Sequence, residues 1–146
     1  GDGPERPMAE DLCRELDICD DVRFVGKQQD MEEIFAIADL FLLPSEYESF
    51  GLSALEAMAG STPVVASHVG GLPEIIKQGE NGYMAPVGNV GQMSQYAIDI
   101  LKDEKTLHHF KANARKQAER FDIHRIVPQY EKLYERFLHS FSLNVV

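Results

Sequence analysis

Apolar and polar residues along this chain fall into blocks whose period switches between that of a helix and that of a strand. After a glycine-rich opening, Gly1-Asp2-Gly3-Pro4-Glu5, the stretch from Met8 to Leu16 is amphipathic at helical spacing. A short β-rich run, Val22 to Gly26, follows, then a helical stretch from Met31 to Ile37 and the apolar run Leu40 to Pro44. The order then repeats. A helix around Ser53 to Ala59 leads to the β-branched run Pro63 to Ala66, a short helix near Pro73 to Lys77 and the strand-like Gly82 to Ala85. From Gln92 onward the pattern is helical, ending in a long segment from His124 to Phe141.

Short β and α elements in alternation predict an α/β fold: a Rossmann-like parallel sheet with helices on both faces, followed by a helical C-terminal tail. In such sheets a ligand binds at the carboxyl ends of the strands. Runs this apolar are expected to be buried on both faces. The stripe Tyr130, Leu133, Tyr134, Phe137 and Phe141 keeps helical spacing and reads as core packing. Neither a repeat nor a linker interrupts the pattern, so 1–146 reads as one domain. A glycine turn with no strand before it leads to the expectation that an upstream segment is missing, with an ordinary loose terminus as the alternative. Such a segment would carry central strands, and its absence would expose strand edges open to self-association.

Composition narrows the partners. Acidic residues outnumber basic ones by 24 to 14, for a formal net charge of -10. A duplex nucleic acid or an anionic membrane surface would be repelled over most of the protein. A nucleotide diphosphate is not excluded, because it needs only a local cluster of amides and one or two cations. Cys13 and Cys19 lack the CxxC spacing of redox or zinc sites and are expected to be reduced thiols. No apolar run approaches the roughly 20 residues of a membrane span, and no basic-then-apolar leader opens the sequence, so a cytoplasmic location is the default.

The chemically informative stretch runs from Pro44 to Pro86. Glu48 falls in the loop after an apolar run, and Glu56 lies eight positions on, inside the next helix. That spacing lets both carboxylates face one cleft. Carboxylates suit the vicinal hydroxyls of a sugar or a ribose, since each oxygen accepts more than one strong hydrogen bond. Between them, Phe50-Gly51-Leu52 leads into a helix N-terminus, where free amides and the helix dipole favour phosphate and Gly51 permits close approach. Taken singly, each feature is as well explained by a surface glutamate complementing a helix dipole. His68 after the strand-like run is a candidate for the diphosphate or simply polar surface, and Glu74 is a candidate phosphate neighbour or helix cap. His108, His109, His124 and His139 show no metal spacing.

Pro44-Ser45-x-x-Glu48-x-Phe50-Gly51, the Glu48-to-Glu56 spacing and Gly70-Gly71-Leu72-Pro73-Glu74 resemble the C-terminal, donor-binding domain of GT-B retaining glycosyltransferases, specifically glycosyltransferase family four. The resemblance covers nearly the whole chain. Within the family it is nearest the enzymes that transfer N-acetylglucosamine from UDP-N-acetylglucosamine to L-malate in bacillithiol synthesis, on Gly26-Lys27-Gln28, Glu48-Ser49-Phe50-Gly51-Leu52 and Val127-Pro128-Gln129-Tyr130-Glu131. The resemblance implies a UDP-sugar donor and no metal. It gives Glu48 the donor-sugar hydroxyls as the catalytic-site carboxylate, Glu56 the ribose, and the backbone of Phe50, Gly51 and Leu52 the sugar and diphosphate. Gly1 and Gly3 match the family's glycine turn, and Gly26 lies in the loop where the base rests. The family's arginine and lysine, and the N-terminal domain that supplies acceptor residues, have no counterpart in this sequence. The chain is therefore expected to partner that domain and to be inactive alone. The family also places a glycine where this chain has Ser61. A helix ending there needs a left-handed residue, which would cost Ser61 on the order of 1 kcal/mol, unless the cap shifts to Gly60.

Overall fold

The computed structural model describes residues 2–142. Three strands, β1 (Phe41–Leu43), β2 (Val64–Ser67) and β3 (Gly82–Ala85), form a parallel sheet in the order β1-β2-β3. Seven helices accompany them: α1 (Arg6–Glu15), α2 (Met31–Ile37), α3 (Leu52–Ala59), α4 (Leu72–Ile75), α5 (Val90–Leu101), α6 (Glu104–Ala118) and α7 (Ile123–Ser142). A 3-10 turn at Glu119–Phe121 joins the last two. Each β–α–β crossover fits the parallel arrangement read from the alternation.

The register, Phe41 with Val64 with Gly82 and onward, sorts the side chains onto two faces. Val64 and Ala66 pack with Phe35 of α2, Ala54, Ala57 and Met58 of α3, and Leu72 and Ile75 of α4. Val65 and Ala85 pack on the other face with Met93 and Ile100 of α5 and Phe110 of α6. Helices therefore cover both faces. Only β2 is buried throughout, however. Leu42 of β1 is 53% exposed, because α5 packs on β2 and β3 and leaves the neighbouring position of β1 uncovered.

Two further expectations are corrected. Val22–Gly26 forms no regular element and pairs with no strand of the sheet; β propensity alone cannot make a strand without a neighbour to bond. Tyr130, Leu133, Tyr134 and Phe137 are not core: all four remain exposed on α7. Periodicity identifies an apolar face, but not what lies against it. Phe141's side chain lies outside the described residues.

Buried polar groups close the loops. Thr62 Oγ1 donates to the carbonyl of Phe35 at 2.7 Å, tying the exit of α3 to the end of α2. Asn81, also buried, accepts from the Lys77 amide at 2.8 Å and donates to the Ile75 carbonyl at 3.2 Å, which fixes the entry to β3. Asp103 starts α6 by accepting from both the amide and the hydroxyl of Thr106. Those bonds, the amide's first, hold its carboxyl below the usual range.

The end of α3 resolves the question at residues 60 and 61. Gly60 has φ -75° and Ser61 has φ 65°. The amides of Ser61 and Thr62 donate to Met58 and Ala57 at 2.9 Å each, the paired closure of a Schellman cap. Gly60 cannot take over as the capping residue: it is needed where it stands, since a Cβ there would lie 2.9 Å from that of Phe35. Ser61→Gly is therefore expected to stabilise the fold by about 1 kcal/mol, read as a raised urea midpoint with unchanged slope. Asn81→Ala is expected to cost about 2 kcal/mol in the same experiment, because it strands the part-buried Lys77 amide and the buried Ile75 carbonyl.

Candidate functional site

The loop after β1, residues 44–50, and the loop after β2, residues 68–71, leave the same edge of the sheet and meet backbone to backbone. Gly71 donates its amide to the Ser49 carbonyl at 3.0 Å. A Cβ on Gly70 would fall 1.6 Å from the Glu48 carbonyl oxygen, and one on Gly71 would lie 3.0 Å from Phe50 Cα. Gly70 also has φ +53°. Glycine is required at both positions by contact, and at Gly70 by conformation as well.

This contact shapes a hollow of about 770 Å³ lined by Glu46, Tyr47, Glu48, Ser49, Val69 and Gly70. Glu48 is half-buried, and its Oε1 accepts from the Ser49 amide at 3.1 Å. Tyr47, not singled out by sequence, is 89% exposed on the wall beside it. An exposed aromatic adjoining two carboxylates was the available signal.

The chain then turns through Gly51 (φ 96°), which is buried against Leu72 and Ile75, into α3. No side chain caps α3, so the first amides of the helix are left for solvent or an anion. Phe50 and Leu52 turn their side chains away from this end and toward α7: both line a second hollow of about 710 Å³ with Phe121, Ile126, Tyr130 and Leu133. Phe50 meets Phe121 edge-on at 5.9 Å. Only their backbone is thus available to a ligand at the start of α3.

Glu56, exposed on α3, lines a different hollow from Glu48. That hollow, about 550 Å³, is bounded by Gln29, Asp30, Met31, Glu32 and Glu33 at the start of α2. The two carboxylates thus flank the first half of α3 rather than sharing one cavity.

Gly1 lies outside the described residues. Gly3 sits in the opening turn, its carbonyl accepting from the Arg6 amide at 3.1 Å. Asp2 between them reaches the other candidate loop: its carboxylate accepts from the Lys27 amide at 3.2 Å and lies against Gly26, whose φ is +65°. Arg6 bridges Asp2 and Glu10 at 2.7 Å each, and those bonds, Glu10's first, push its guanidinium up from the ordinary value. The structure therefore ties the opening turn to the Gly26 loop through the Asp2 side chain.

His68 is exposed, and its backbone amide donates to Ala85. Glu74 makes no capping bond in α4. Ser67, at the end of β2, shares the face of Val65; it is fully buried and its hydroxyl has no partner among the described residues. Sequence reasoning passed over it as the polar end of an apolar run. Among the described residues no group of three or more His, Cys, Asp or Glu could hold a metal, and no helix is long and apolar enough to cross a membrane.

Residues 1–117 match the family of glycosyl transferases group 1. The chain belongs to the group 1 glycosyltransferases. It is 44% identical over 135 residues to N-acetyl-alpha-D-glucosaminyl L-malate synthase of Bacillus anthracis, covering 92% of this chain and 35% of that protein. Among solved structures, sucrose-phosphate synthase from Thermosynechococcus elongatus superposes with a TM-score of 0.83 at 33% identity, over 96% of this chain and 36% of that one. HepE of Anabaena, solved with UDP, superposes at 0.82 and 27% identity, over 90% and 38% respectively; it has also been solved with UDP-glucose. The glycosyltransferase chain described here spans about a third of the length of these relatives. The family resemblance read from the glycine and glutamate motifs is thus confirmed, as is the α/β fold.

Gly70→Ala is expected to destabilise this domain by about 3 kcal/mol or more, since a methyl group cannot occupy the Glu48 carbonyl's position at a left-handed φ. Thermal unfolding measures the loss. An unchanged midpoint would mean that the two loops are not held as described.

Proposed function

We propose that this chain is the donor-binding part of a retaining glycosyltransferase that uses a UDP-sugar, with UDP-N-acetylglucosamine as the donor. The observation that carries this reading is the uncapped, glycine-started α3 with Glu48 before it and Glu56 within it. The two glutamates line separate hollows, which suits a two-ended ligand whose sugar and ribose lie on opposite sides of a diphosphate. Glu48 takes the donor-sugar hydroxyls, and Glu56 those of the ribose. The amides of Phe50, Gly51 and Leu52 meet the diphosphate, with the helix dipole adding to them. Gly1, Gly3 and Gly26 border the base. UDP and UDP-glucose in the HepE structures support the ligand class. The 44% identity to N-acetyl-alpha-D-glucosaminyl L-malate synthase of Bacillus anthracis supports N-acetylglucosamine as the sugar, and with it the place in bacillithiol synthesis that the motifs imply.

In this reading the lever on the reaction is stabilisation of the departing diphosphate by fixed donors, with no metal needed. Glu48 is a binding carboxylate and not a covalent nucleophile, which would have to stand on the opposite face of the sugar. Acceptor choice and the cations for the leaving group come from parts of the relatives that this chain does not span. Alone, in the cytoplasm where the donor is made, the chain binds donor without turning it over.

Calorimetry with UDP and with UDP-N-acetylglucosamine tests these roles. Glu56→Ala is expected to weaken both ligands by about tenfold or more, as loss of charged hydrogen bonds to a ribose implies. Glu48→Ala is expected to weaken only the sugar-bearing ligand. Equal effects of the two changes on UDP would refute the assignment, and no binding of either ligand by the parent chain would favour a purely structural or assembly role.

A further inference from the structure

The spacing of Cys13 and Cys19 matches no redox motif, yet the end of α1 brings them together. The helix stops at Glu15, and Asp17 takes a left-handed φ of 55°. The amides of Asp17 and Ile18 then donate to the carbonyls of Arg14 and Cys13, each at 3.1 Å, closing a Schellman turn. The second of these bonds pins the backbone of Ile18 onto Cys13 itself, so the next residue, Cys19, emerges alongside it. Both cysteines are free thiols, and the Cys19 side chain is the leading influence on the Cys13 thiol. Their surroundings differ sharply. Cys13 is only 4% exposed, whereas Cys19 is open to solvent.

We propose that Cys13 and Cys19 form a redox-reactive dithiol in which Cys19 accepts a low-molecular-weight disulfide and Cys13 resolves it to an internal disulfide. The Cys19 thiolate attacks one sulfur of the reagent RSSR, forming a protein–SR mixed disulfide and expelling RS⁻, which takes up a proton. The Cys13 thiol then loses its proton to solvent and attacks the Cys19 sulfur, expelling the second RS⁻. The two protein thiols are oxidised by two electrons, and one RSSR is reduced to two RSH.

The division of roles follows from exposure. A dissolved reagent reaches Cys19 but not Cys13, while Cys13 needs to reach only a sulfur that the turn brings alongside it. Contact with Cys19, then burial, push the Cys13 thiol up, which suits the second attacker better than the first. Charge selects the reagent. Cys19 is bracketed by Asp17, Asp20 and Asp21, so a cationic disulfide is favoured over an anionic one. The pair lies at the far end of α1 from the turn at Asp2 and does not depend on the nucleotide reading.

Cystamine supplies the test, with intact mass and peptide mapping of the full chain as the readout. The parent is expected to lose its two thiol hydrogens and yield a Cys13–Cys19 cross-linked peptide, reversed by dithiothreitol. Cys13→Ala is expected to stop at a stable cysteamine adduct on Cys19. Cys19→Ser is expected to react at least about tenfold more slowly than the parent, because only the buried thiol is left. Cys13→Ser serves as a second resolving-site variant, and circular dichroism establishes that each variant is folded. A persistent adduct on the parent, or a parent no more reactive than Cys19→Ser, would overturn the proposal.

Discussion

Two loops leaving the carboxyl ends of β1 and β2 meet with no side chain between them, and the position of Glu48 follows from that meeting. The Gly71 amide bonds the Ser49 carbonyl while Gly70 lies against the carbonyl of Glu48. In a parallel sheet each strand delivers its following loop to the same end, so the loops compete for one space. Glycine at both contact positions lets the backbones approach, and the hollow beside Glu48 is what remains. Gly51 extends the same device by one step: buried under Leu72 and Ile75, it turns the chain into α3 and leaves that helix without a side-chain cap. An anion at such a helix start would meet backbone, and side chains would decide mainly what flanks it.

Around that contact the structure sets rigid and open parts side by side. Val64, Val65 and Ala66 are wholly buried, with helices on both faces, and buried Thr62 and Asn81 tie down the loops on either side of β2 and β3. The apolar stripe of α7 stays exposed instead. Phe50 and Leu52 reach toward this helix and share a hollow with it, so α7 sits behind the residues whose amides would meet the diphosphate.

The cysteines show how a local turn creates a juxtaposition that spacing conceals. A left-handed Asp17 and two backbone bonds fold the chain back at the end of α1. The same motif ends α3, where Ser61 takes the left-handed position because Gly60 is held against Phe35. One capping device thus yields a paired dithiol in one place and a mildly strained serine in the other.

The order of helices and strands, the parallel sheet, and the glycine and glutamate motifs of the family were all legible in the sequence, because periodicity and turn chemistry act over a few residues. Which strands would be covered on both faces was not, since cover is supplied by distant helices: α5 reaches β2 and β3 and leaves Leu42 bare. Nor was the fate of Val22–Gly26, which is β-prone but pairs with no strand, or that of the α7 stripe, apolar but exposed. Residues 48 and 56 stood out by type and spacing, whereas their division between two hollows, the reach of Asp2 to the Gly26 loop, and the buried hydroxyl of Ser67 belong to the tertiary structure alone. The reason is the same in each case: a side chain's chemistry is local, but the group it meets is set by the packing of elements far apart in sequence.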